Sequence, residues 1–158
     1  MFAIKREQRR QMGEPAFIDR TVEWIREYHR EHVYDIDDEE LHLRVRHGVE
    51  KARSYGLTWE SSLTIFVSHM LTINPEFDKQ PAIQAALVDP SIPGDEKMQA
   101  LLGLVDDDEW EEALKMCDPA RYWDGVREAN RAKDAGPVDD GAAGRDKRAR
   151  SKKPRGRG

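Results

Sequence analysis

"YGLTWESSLTIFVSHM", residues 55–70, decides the fold. It is an aromatic residue, a glycine, a threonine and then an uncharged apolar run, in a chain of which 36% is charged. Gly56 stands where a helix ends in a left-handed cap, and Thr58 is placed to cap the helix that follows, Trp59–Ile73. On that helix Trp59, Leu63, Phe66, Met70 and Ile73 share one face, which Val67 and Leu71 widen. The opposite side holds Ser62, Ile65, Ser68, His69 and Thr72, with no charge. A solvated helix in so charged a chain should carry charge toward water. The segment is therefore expected either at the centre of a helical bundle or partly covered by another protein.

A helix-turn-helix that reads DNA uses the start of its second helix on base edges and Lys and Arg on phosphates. Here that start offers Trp59, Glu60, Ser61 and Ser62, and no Lys or Arg lies between Arg53 and Lys79. Glu60 at the tip would repel phosphate, so the corner reads as a tight turn between packed helices.

Outward from this corner, apolar residues recur at helical spacing, and strand-like alternation is nearly absent apart from an extended "FAI" at residues 2–4. The expectation is an all-α bundle of about six to seven helices. Gly13 and Pro15 should stop a short helix over Arg6–Met12. The next, Pro15 to Glu31, has Phe17, Thr21, Trp24 and Tyr28 as one stripe and Ile18, Val22, Ile25 and His29 as the stripe beside it, together a broad buried face. Asp37 with Glu40 three residues on has the capping-box spacing and opens a helix to Tyr55 that buries Leu41, Val45, Gly48, Val49 and Ala52. Gly48 permits close approach of another backbone. Shorter helices follow over Pro81–Val88, Asp95–Val105, Asp107–Cys117 and Pro119–Lys133, each broken from the next by proline, glycine or an Asp cap.

The charge is divided unevenly. Residues 141–158 hold Arg145, Lys147, Arg148, Arg150, Lys152, Lys153, Arg155 and Arg157 against Asp146, a net +7, which leaves −12 on the rest of a chain whose total is −5. From Asp134 onward Val138 is the only large apolar side chain, too little to offset the entropy of ordering. Residues 1–133 are read as a helical domain and 134–158 as a disordered linker and basic tail. For the tail, three roles stand side by side: nucleic acid, the acidic body itself, or an acidic partner. It has no aromatic side chain for base stacking, and a purely solubilising end is a fourth reading.

The chemistry-bearing residues read blandly. Cys117 is the one cysteine, and Asp118, Glu111 and Glu112 beside it should raise its pKa. His29 and His32 have a usable ligand spacing, yet no HExxH, cysteine pair or second His/carboxylate set accompanies them, and a favourable place at a helix C-terminus accounts for them as well. "DDDEWEE", residues 106–112, is what the first turn of a capped helix favours. No nucleophile elbow, phosphate-cradling loop or cofactor motif is present, so a non-enzymatic role without cofactor or metal is expected. No signal-like apolar core opens the chain and no stretch is long and apolar enough for a span, which suits a cytoplasmic protein without a membrane partner.

The order "IKREQ", "FIDR", "VRHGVEKARSYGLTWESSLTIFVSHML", "NPEFD" and "DPSIPGDEKMQALL" resembles small all-helical bacterial proteins encoded in type VI secretion effector and spike gene clusters. The similarity covers about residues 2–105 and rests on Gly48, Ala52, Tyr55, Gly56, Phe66, Val67 and the Phe77–Asp78 pair. It implies an accessory or co-chaperone role, with a secreted effector, its chaperone or a spike protein as partner. The contact surface is then expected near Trp59, Ile65, Ser68, His69 and Phe77. Two other roles stay open: an immunity protein whose acidic body covers a basic toxin site, and a nucleic-acid-associated protein acting through its tail.

Overall fold

The central apolar segment does become the middle of a helical bundle. The computed structural model describes residues 6–152, with side chains for residues 13–135. The "FAI" segment, the cations of the tail and the expectation that the tail is disordered fall outside the residues described with side chains. Eight α-helices and two 3-10 turns, with no strand, make up the described chain. In order they are α1 (Arg6–Tyr28), α2 (Arg30–Val33), α3 (Asp38–Ser54), α4 (Glu60–Thr72), a 3-10 turn (Phe77–Lys79), α5 (Pro81–Val88), a second turn (Gly94–Glu96), α6 (Lys97–Leu104), α7 (Asp107–Ala113) and α8 (Pro119–Lys152). The contacts divide the chain into two units, Met1–Tyr122 and Trp123–Gly158. Among the described residues the second holds the remainder of α8, where Arg127 pairs with Asp124.

In the first unit α4 packs against α1, α2, α3 and α6, and buries Ser62, Leu63, Phe66, Val67, Ser68 and Met70. Its lack of charge thus follows from its central place. Gly48 lets α3 approach it: a Cβ there would lie 2.9 Å from Val67 Cγ2 and 3.2 Å from Met70 Sδ. Gly56 takes φ +93°, and the turn closes with Gly56 N–H donating to Arg53 O at 2.9 Å. The left-handed Gly56 is as expected, whereas the close neighbours of Gly48 are side chains of α4 and not the backbone expected there.

Three local expectations are corrected. Gly13 and Pro15 do not stop a helix; α1 runs through both. Proline forfeits one backbone donor but leaves the bonds on either side, and Arg53 of α3 grips Glu14 beside it through two bonds of 3.0 and 2.9 Å. Second, α1 ends at Tyr28, not Glu31, and the corner after it is held by Arg26, which donates to Val33 O at 3.1 Å, Ile36 O at 2.6 Å and the Asp38 carboxylate at 2.9 Å.

Third, Thr58 does not cap α4. The N-cap residue is Trp59, and Asp95, far along the chain, supplies the acceptors: Oδ1 takes Thr58 N–H and Trp59 N–H, each at 2.7 Å, and Oδ2 takes the Thr58 hydroxyl at 2.5 Å. Asp106 and Glu109, by contrast, form the full capping box of α7 as the spacing predicts. Asp37 likewise accepts from Glu40 N–H at 2.8 Å to open α3.

Candidate functional site

The face of α1 read as wholly buried is only partly so. Phe17, Ile18, Thr21, Val22 and Ile25 are buried, but Trp24 is 38% and Tyr28 60% exposed. Trp24 and Tyr28 shelter each other instead, their rings 5.1 Å apart.

Between this strip and α4 lies a mostly apolar groove of about 380 Å³. Phe17, Thr21 and Trp24 of α1 line one side, and Ile65 of α4, 42% exposed, the other. At its rim Arg20 donates twice to the Glu60 carboxylate, each at 3.0 Å. Both ionic groups are more than half exposed, so the pair fixes the rim but adds little stability. Among the described residues the only charges lining the groove are thereby matched to each other, and what remains is mostly apolar surface with the volume for one or two large side chains.

The five residues expected to form a contact surface do not share one exposed face. Ile65 faces this groove and Trp59, 62% exposed, stands at the start of α4. Ser68 and Phe77 are corrections, for both are buried: Ser68 faces the corner between α1 and α2 and meets His29 Nε2 at 3.2 Å, while Phe77 packs against Phe66 of α4, with ring centroids 5.0 Å apart. His69 is half-buried, edge-on to Phe77 at 5.4 Å and to Trp110 at 5.7 Å. Desolvation lowers its pKa to about 4, with His29 adding to the effect. Reading Trp24 and Tyr28 as core hid the more useful half of the surface. Their neighbours Glu23 and Glu27 on the water side were the signal that this stretch of helix lies at an edge.

The other sequence candidates settle into structural roles. His29 is not held as imidazolium by a helix end: burial, then His32, lowers its pKa. Among the described residues no cluster of three or more His, Cys, Asp or Glu could hold a metal. Cys117 has its pKa raised, first by burial and then by Glu76, and its thiol donates to Asn74 Oδ1 at 3.1 Å.

A polar cluster that the sequence did not announce lies on the far side of α3. Asp78 is fully buried, and its Oδ2 accepts from the Tyr55 hydroxyl at 2.7 Å. The Lys51 ammonium stands 3.0 Å from Oδ1, a charge contact without hydrogen-bond alignment, since Oδ1 has no hydrogen-bond partner. Lys51 spends its donors on Pro75 O at 3.1 Å and Tyr122 Oη at 3.3 Å, and His47 Nε2 meets the same phenol at 2.7 Å. Burial, reinforced by Asp78, pushes both tyrosine pKa values up. The phenols stay protonated and the thiol nearby is not activated, so this cluster ties α3 to the first 3-10 turn and to the start of α8 and presents no primed nucleophile.

No helix among the described residues is long and apolar enough to cross a membrane. No family model, curated protein or solved structure matches the chain.

Proposed function

We propose that this chain is a non-catalytic protein-binding accessory factor that receives its partner along the groove between α1 and α4. The observation that carries the reading is the exposure of Trp24 and Ile65 at a cavity of about 380 Å³ whose rim charges, Arg20 and Glu60, are already paired, with exposed Tyr28 against Trp24. An exposed aromatic side chain at an apolar concavity is what partner recognition uses, because it gives a large contact area at low entropy cost. The resemblance noted in the sequence supports a specific setting: loading or assembly of a type VI secretion effector, its chaperone or its spike.

The test is co-expression of the tagged chain with the products of adjacent genes, followed by purification. Capture of one of them by the wild type and its loss in Ile65→Arg is the expected result. A wild-type chain that emerges alone, or capture indifferent to residue 65, sinks the reading.

One observation favours a second reading, an immunity protein. Beside the groove, Asp19, Glu23, Glu27 and Asp38 face a neighbouring cleft in which only Arg26 and Arg30 oppose them, apart from His42. An excess of carboxylate suits a basic toxin surface. Rescue of cells that express an adjacent toxin would distinguish this role, and absence of rescue would remove it.

A further inference from the structure

We propose that the α1/α4 groove takes a cationic amphipathic segment, a helix with one large apolar anchor and Lys or Arg on its flank, supplied by a different protein. The inference rests on the docking role of the groove just given and adds the chemistry of what docks.

Size and polarity set the anchor. A groove of about 380 Å³ walled by Phe17, Trp24 and Ile65 suits one or two buried aliphatic or aromatic side chains, which is how an amphipathic helix engages a hydrophobic cleft. Charge sets the flank. Glu23 and Glu27 stand on the water side of α1 next to Trp24, both exposed, and among the described residues neither has an ion-pair partner. They open onto the adjoining cleft, where the carboxylates of Asp19 and Asp38 are met by His42 at 2.9 Å and Arg26 at 2.9 Å. Even with Arg30 counted, the surface beside the groove keeps surplus negative charge. A helix seated with its anchor against Trp24 therefore places its next turn over Glu23 and Glu27, where Lys or Arg is attracted and Asp or Glu repelled.

The same observations argue against two nearer occupants. A second copy of this chain, docked face to face, would bring Glu23 and Glu27 against their own counterparts. The chain's basic tail has the charge but not the anchor, for Val138 is its only large apolar residue and precedes the cations.

The test uses the full chain and two synthetic helices of about 18 residues, long enough to hold helical structure. The two share one Leu face, and one carries Lys and the other Glu on the opposite face; binding is read by anisotropy of a label on the peptide. The Lys helix should bind, and Ile65→Arg or the double variant Glu23→Lys/Glu27→Lys should weaken it by roughly tenfold or more. The exposed double variant is expected to fold normally, and a matching thermal melt shows that it has. Equal binding of both helices, lost in Ile65→Arg, overturns the charge assignment while leaving the groove as a docking site. Binding of neither helix, or binding of the Lys helix indifferent to Ile65→Arg, overturns the inference; the docking reading then stands or falls on the co-purification alone. Displacement of the Lys helix by a peptide of residues 141–158 makes the chain's own tail the occupant and overturns it also.

Discussion

Gly94 packs so closely on Gly56 that a Cβ at position 94 would fall 2.0 Å from the Gly56 carbonyl oxygen. The two glycines serve different ends, one giving room and the other giving a backbone angle, φ +93°, that side chains resist. Gly94→Ala must move backbone apart and is expected to cost about 3 kcal/mol, at the upper end of overpacking. Gly56→Ala bears only the conformational penalty, about 1–2 kcal/mol. Urea denaturation of the two variants checks the order; an Ala at 94 tolerated better than one at 56 contradicts it.

Asp95 holds the start of α4 from a distance. Burial works to raise its pKa, but the bonds from Thr58 and Trp59 outweigh it and the net shift is downward. Removing those acceptors in Asp95→Ala should cost about 1–2 kcal/mol, the range of a lost helix cap. Thr58→Val, which deletes only the hydroxyl donor, should cost less. Equal losses would mean that the backbone bonds contribute nothing.

His69 makes the fold sensitive to acid. With its pKa in the folded chain lowered from 6.5 to about 4, the unfolded chain binds more protons between those values. Stability is thus retained above pH 6.5 and falls as the pH drops toward 4, by up to an order of 3 kcal/mol. His42 works in the opposite sense, since its pKa is raised chiefly by a hydrogen bond to the Asp38 backbone, so the difference between wild type and His69→Phe is the clean measure. Phenylalanine, packed between Phe77 and Trp110, should flatten the pH dependence of the denaturation midpoint. An unchanged slope refutes the assignment.

Lys51 and Asp78 form a buried ion pair 3.0 Å apart, with no exposure of the aspartate. Lys51→Met leaves that carboxylate without its countercharge and is expected to cost about 3 kcal/mol or more. Adding Asp78→Asn should recover part of the loss. If the double variant is as unstable as the sum of the singles, the pair is not coupled.

What the chain declared in advance was whatever is settled within a few residues. The Asp106–Glu109 box, the Asp37 cap, the left-handed Gly56 and the tight fit at Gly48 all follow from spacing or from the absence of a Cβ. The central place of α4 was legible too, because a missing charge is visible in composition. Residues settled by distant partners were not. Thr58 looks like a cap until Asp95 takes its hydroxyl, Phe77 looks available until the turn folds it under Phe66, and nothing local marks Lys51 as the counterion of Asp78. The groove was half legible: Ile65 stood out as apolar on a polar side, whereas Trp24 has the same periodicity as Phe17, which is buried while Trp24 is 38% exposed.

The Asp95 contact also bears on the order in which the molecule can be made. The stretch that winds into α4 precedes its keeper, residue 95, along the chain, so a chain truncated near residue 90 has the helix but not the carboxylate that fastens its first turn. The second half of the first unit is in this sense the latch of the first half, and truncation between them should yield a frayed bundle in place of a smaller intact one.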